Sequence, residues 1–319
     1  MIATQTEAWM TDLWIFISVT AAVFQTVRFM LQKHLATATL TAAGATFSRF
    51  FYSLPFILVM VLGYLLSTGA TVPAIEPGFW AFGLLGATAQ ITATICAVLL
   101  FKQRNFAVGM TFTKTEVIQT VIVGWLLLGE GVSALGFGAI ALGIAGLILL
   151  SAAPTATGFK LRDLGNRASA LGIASGLLFA FSAVSYRGAT LAVVSLDPVL
   201  RAGLTLAVVV ALQTAIMLIW LRLREPGQIG AVWRARRIAL WIGLTSMAGS
   251  LCWFIAFAMQ NAAYVKAVGQ VEIIFSIAAS VLFFREKISV REGAGMAILV
   301  VSILMLILVL QDGEAARLS

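Results

Sequence analysis

Ten apolar runs, each long enough to cross a bilayer as a helix, leave this chain little freedom of fold. A hydrocarbon core about 30 Å thick needs roughly 20 apolar residues in helical form. Runs of that kind lie at about 13–33, 46–67, 79–100, 106–128, 132–152, 169–193, 196–221, 238–259, 264–284 and 291–310, numbered here as spans 1 to 10. Lipid supplies no hydrogen bonds, so the backbone of such runs must satisfy itself, and helices do that. Only 11% of the 319 residues are charged, against roughly 25% in a soluble domain. Breakers such as Pro73, Pro77-Gly78 and Pro226-Gly227 mark the links. The first run follows Glu7 and Asp12 rather than a basic segment, so it reads as a span and not as a cleavable signal. The expectation is an all-α, multi-pass protein of the cell inner membrane, with the lipid bilayer as its first partner.

The chain repeats itself. A shift of 156 residues superposes Cys96 on Cys252, Phe101 on Phe257, Asn105 on Asn261, Glu116 on Glu272, Glu130 on Glu286 and Ser133 on Ser289. At slightly different offsets Arg28 falls opposite Arg187, and Arg49 opposite Arg201. Two units of five spans follow, 13–152 and 169–310. An odd number of spans inserts the second copy in the opposite sense, giving the inverted repeat of secondary transporters.

Charge placement excludes other classes. The net charge of +8 comes from basic residues in short links, which is a topology signal rather than a nucleic-acid surface. Lys and Arg in links and at span ends divide fifteen to four between the two faces, and the four share a face with both termini. The positive-inside rule then puts the termini outside the cytoplasm. Cys96 and Cys252 sit in apolar runs as small hydrophobes, and His34 stands alone, so neither metal nor cofactor is expected.

Leu128-Gly129-Glu130-Gly131-Val132-Ser133, the glycines 136, 138, 143 and 146, and Phe284-Arg285-Glu286-Lys287-Ile288-Ser289 before Gly293 and Gly295 carry a resemblance. Over about residues 13–310 the chain resembles the EamA family of the drug/metabolite transporter superfamily. Arg285 stands where that pattern usually has Gly. The resemblance implies a central cavity lined mostly by spans 1, 3, 4, 6, 8 and 9, with spans 5 and 10 peripheral. It also implies alternating access, export or exchange of small organic solutes, and cytoplasmic termini, the reverse of the charge count.

Polar residues inside the spans are the candidate site. Glu116 and Glu272 lie at matching mid-membrane depths, where a carboxylate must face a cavity, be paired or be protonated. Either they form a substrate or proton site at the repeat interface, or a structural ion pair. With mostly apolar neighbours in sequence, one of the two is expected to hold a proton in the working range. Lys114, two residues from Glu116, is on another helical face, so its partner is Glu272 across the pseudo-two-fold, a substrate carboxylate, or a structural bridge. Arg28, with Gln25 and Gln32 on its stripe, and Arg187, with Ser182, Ser185 and Tyr186 nearby, either face the cavity or snorkel to the headgroups. Gln90 and Thr94, with Ser246 and Ser250 at the matching positions, line a pathway or bond between helices. Glu130, Glu286, Ser133 and Ser289 read as helix-end structure. Ala139 with Gly143, and Gly293 with Ala297, have small-xxx-small spacing for close packing of spans 5 and 10, internally or in a homodimer.

These features point to a secondary transporter of a small polar metabolite, an amino acid or similar zwitterion, with protons as a coupling ion. A buried Lys114 would not help a proton-coupled exporter of lipophilic cations, the second reading. A membrane enzyme on lipid-linked substrates is the third, and no His cluster, Asp-rich motif or nucleophile–base spacing supports it.

Overall fold

The computed structural model describes residues 2–104, 106–128 and 167–291, with scattered positions between 135 and 149 and between 293 and 308. Side chains are described from residue 13 onward. Glu130 and Ser133, most of span 5 and part of span 10 lie outside the described residues.

Among the described residues the elements are helices joined by short links. They are α1 (Ile2–Ala38), α2 (Ala42–Thr68), α3 (Gly78–Gln103), α4 (Phe106–Thr113) and α5 (Glu116–Leu128). After the undescribed stretch come α6 (Arg167–Leu191), α7 (Pro198–Arg224), the short α8 (Pro226–Arg234), α9 (Arg236–Met259), α10 (Ala262–Val268) and α11 (Glu272–Leu282). Among the described residues, seven segments are long and apolar enough to cross a membrane, with α10 and α11 together making one of them. Span 4 differs from expectation. It is divided into α4 and α5, of 8 and 13 residues, each shorter than a bilayer needs.

Local chemistry sets the helix ends. Thr41 caps α2 by accepting from the Gly44 N–H at 3.0 Å. Asp197 caps α7 by accepting from Val199 at 2.8 Å, with Pro198 opening the helix where no N–H is needed. Asn261 caps α10 through the Ala263 N–H at 2.9 Å. Arg285, in the Gly position of the resemblance, has φ 55°, a left-handed backbone that a side chain adopts at a cost of roughly 1–2 kcal/mol. The family's usual Gly has a physical reason here.

Among the described residues the most extensive helix pairings are α3 with α6 and α1 with α9, and α2 packs on both α7 and α9. In lipid such packing depends on close backbone approach rather than water exclusion. At Gly243 of α9 a Cβ would lie 2.6 Å from the Tyr52 carbonyl carbon, so only glycine lets α9 meet α2 there. At Gly143 a Cβ would meet the Ser302 hydroxyl at 2.7 Å, a close approach of spans 5 and 10 at that glycine. Val59, Leu62 and Leu66 of α2 and Leu223 of α7 point outward, which suits side chains facing lipid.

Candidate functional site

Two helix breaks build the site. At the first, Thr113 and Thr115 turn their hydroxyls back to the carbonyls of Met110 (2.7 Å) and Phe112 (3.1 Å). The backbone there tightens to three-residue bonds, Lys114 N–H to Thr111 C=O at 3.0 Å and Thr115 N–H to Phe112 C=O at 3.4 Å. Hydroxyl side chains that compete for carbonyls in this way bend or interrupt a helix. At the second break a 3₁₀ turn, Gly269–Val271, separates α10 from α11, and the Gln270 side chain donates back to the Lys266 carbonyl at 3.1 Å. Gly176 of α6 presses on the first break, where a Cβ would sit 3.0 Å from the Glu116 nitrogen.

Each break delivers a glutamate to a helix start: Glu116 opens α5 and Glu272 opens α11. Free N–H groups and the helix dipole favour a carboxylate at that end. Each acid also meets a lysine from the other part of the chain. Lys114 Nζ donates to Glu272 Oε2. Lys266 Nζ, in the last turn of α10, lies 3.2 Å from Glu116 Oε1, and Lys114 Nζ lies 3.9 Å from the same oxygen. All four side chains are buried. Gln25 of α1 donates to Glu272 Oε2 at 2.8 Å and accepts from the Trp253 indole at 3.0 Å. Lys266 also sits 4.5 Å from the centre of the Trp253 ring.

Two expectations are corrected by this geometry. Lys114 bonds to Glu272, one of its expected partners, but also comes within 3.9 Å of Glu116, because the helix is broken between them and the face rule for a continuous helix does not apply. The carboxylates are not short of local charge, since Lys266 stands beside Glu116 and Lys114 beside Glu272. Each glutamate therefore has a cationic side chain beside it.

A second cluster forms around Arg49 of α2, 6% exposed. Its Nε donates to Ser246 at 2.9 Å, its Nη1 to Thr94 at 3.1 Å and its Nη2 to Ser250 at 3.4 Å. With the Gln90 amide oxygen turned toward it, Nη1 and Nη2 gain a further acceptor at 3.0 and 3.3 Å, and the amide nitrogen then donates to Ser182 at 2.5 Å. A narrow cavity adjoins this cluster, lined in part by Arg49, Tyr186, Gln213, Ser246 and Ser250. Arg28, on α1, donates to Gln32 at 3.3 Å and lies 4.0 Å from the centre of the Phe29 ring. Gln32 in turn donates to the Ala45 carbonyl of α2 at 3.1 Å.

The structure therefore joins Gln25, Lys114, Glu116 and Glu272 in one cluster, and Gln90, Thr94 and Ser250 in another. Arg187 donates to the carbonyls of Phe257 (3.1 Å) and Gln260 (2.6 Å) where α9 ends, the position of a helix cap. Glu286 is more than a helix end. It pairs with Lys33, and its Oε2 accepts from the Phe106 N–H and the Ser280 hydroxyl, both at 2.6 Å. Sequence reasoning counted Arg49 and Lys266 as topology charges and passed over Trp253. The available signals were a cation three residues inside span 2, and Gly269-Gln270 interrupting span 9.

Residues 167–308 match the model of the EamA-like transporter family. The matched segment is somewhat under half of the chain. Discontinuous helices whose ends meet near mid-membrane are a recurring feature of secondary-transporter folds. No curated protein matches the chain. A solved crystal structure matches it with a TM-score of 0.61 at 16% identity, over 95% of this chain and 99% of that one. At that identity the likeness shows the fold alone.

Proposed function

We propose that this protein is a secondary transporter that moves a small polar metabolite, an amino acid or similar zwitterion, by alternating access. One observation carries the reading: two broken helices that exchange ion pairs, Lys114 with Glu272 and Lys266 with Glu116. Each pair links the parts of the chain before and after residue 156, so it ties together units that must rock against each other. The inverted repeat is part of the proposal. It is supported by α2 and α7, both 27 residues and offset by 156 in each bound, and by breaks that place both glutamates at equivalent helix starts. A zwitterion recruits both signs of such a cluster: its ammonium competes for a glutamate and its carboxylate for a lysine. Each exchange opens a crossed pair without leaving a buried charge alone. A proton reaching Glu116 when Lys266 withdraws is the proposed route of coupling. The buried lysines disfavour an exporter of lipophilic cations.

Termini outside the cytoplasm remain the proposed orientation. Removing the buried Lys33 and Arg49 from one side and Lys266 from the other changes fifteen against four to thirteen against three, and the bias holds.

Counterflow in proteoliposomes tests the function. Vesicles loaded with unlabelled amino acids and organic acids should accumulate the matching labelled solute, and Lys114→Met should lower the rate at least about tenfold. Gradient-driven movement of tetraphenylphosphonium, with no counterflow of polar solutes, would replace this reading by cation export.

A further inference from the structure

The buried charges of the two clusters do not balance. Arg28, Arg49, Lys114 and Lys266 supply four cations, and Glu116 and Glu272 supply two carboxylates, leaving an excess of two positive charges among described groups each under 9% exposed. The excess is not spread evenly. Both carboxylates are taken by the lysines at the helix breaks. What remains is the arginine pair on the neighbouring helices α1 and α2.

Every hydrogen-bond partner of Arg49 is neutral: Ser246, Thr94, Ser250 and Gln90. Arg28 has one bond, to the neutral Gln32, and its Nη2 is buried with no hydrogen-bond partner. The two guanidiniums lie within electrostatic reach of one another, and the one carboxylate within reach of Arg28 is Glu272, which is already bonded to Lys114. Two buried like charges without a carboxylate of their own are a costly arrangement that an arriving anion would relieve. Guanidinium also has the right form, since its planar fork matches the two oxygens of a carboxylate or a phosphate. The hydroxyls around Arg49 can rotate from accepting to donating when an oxyanion arrives. A small cavity, with room for about one water molecule, adjoins Arg49.

We infer that Arg28 and Arg49 form an anion subsite, and that the transported solute carries more negative than positive charge. The matching chemistry is a small organic acid with at least two oxyanion groups, with or without an amino group. One group engages the arginines, and the rest of the solute reaches the crossed ion pairs at the breaks. This rests on the transporter reading and deepens it from a polar metabolite to an organic anion.

The test uses the full chain purified in detergent, with thermal unfolding against succinate, glutamate, inorganic phosphate and leucine, and counterflow of the same solutes in proteoliposomes. A ligand that binds the folded state raises its unfolding temperature. Succinate and glutamate should do so, and leucine should not. Arg49→Gln and Arg28→Gln should each weaken binding roughly ten- to hundredfold, the loss expected for a charged hydrogen bond, and Arg49→Lys should retain part of it. Should the glutamine variants fail to fold, displacement of labelled succinate by glutamate but not by leucine in the wild type decides the matter alone. Stabilisation by phosphate but by neither carboxylic acid would assign the subsite to phosphorylated solutes. Leucine counterflow with no response to any anion would overturn the subsite and leave the transporter standing. Arginine-dependent anion binding with no counterflow of any solute would keep the subsite and sink transport. No binding and no counterflow would end both.

Discussion

The charges at the helix breaks and those around Arg49 are buried to the same degree, yet they are satisfied in opposite ways. At the breaks every carboxylate has a lysine from the far part of the chain, and every lysine has a carboxylate. Around Arg49 the guanidinium rests on hydroxyls and an amide. The first cluster is complete as it stands. The second is hydrogen-bonded but electrically incomplete, which is why the anion subsite is proposed there. Burial alone does not tell a lock from a binding site. The sign balance around each charge does.

Breaking the complete cluster should cost most. Lys266→Met leaves the buried Glu116 with only the more distant Lys114, and removing one partner of a buried pair costs about 3–5 kcal/mol. The loss should appear in denaturant or thermal unfolding, and Glu116→Gln added to Lys266→Met should recover most of it. A Lys266→Met protein as stable as wild type would mean the crossed pairs contribute nothing to the fold.

Lys33→Met sharpens the contrast. Its partner Glu286 is partly exposed and keeps the Phe106 N–H and the Ser280 hydroxyl, so the stranded acid is still served. The expected loss is about 1–2 kcal/mol. A loss as large as that of Lys266→Met would mean that this pair, too, is sealed from water.

Arg49→Gln should change stability least, by under about 1 kcal/mol. It gives up three hydrogen bonds and also removes a buried charge that has no counter-charge, and the two effects oppose. A large destabilisation would make Arg49 a structural tie between α2 and α9 and erase the distinction between the clusters.

How much of this could be read from the sequence depends on range. The membrane helices were legible because bilayer thickness is written directly into run length, as in 46–67 within α2 and 79–100 within α3. Glu116, Glu272 and Lys114 stood out because charge inside an apolar run is costly wherever it points. The break at Thr113–Thr115 was hidden, since threonine in a membrane helix is common and its hydroxyl interrupts the ladder only in certain settings. Once that break was missed, the face rule separated Lys114 from Glu116 wrongly. Lys266 and Arg49 were misread because a basic residue near a helix end looks the same in sequence whether it reaches water or turns inward. Pairings between residues 150 or more apart, such as Lys266 with Glu116 or Gln25 with Glu272, needed the fold itself.

The claim that the crossed pairs work in transport, beyond holding the fold, is tested most directly by neutralising one pair completely. Lys114→Met and Glu272→Gln should each destabilise the protein and abolish counterflow. The combined Lys114→Met/Glu272→Gln variant leaves no charge stranded at that pair, so its unfolding temperature should return close to wild type. Its counterflow should stay below roughly a tenth of wild type, because the solute has lost the charges it must exchange with. Counterflow that recovers together with stability would show the pair to be structural and contradict the account.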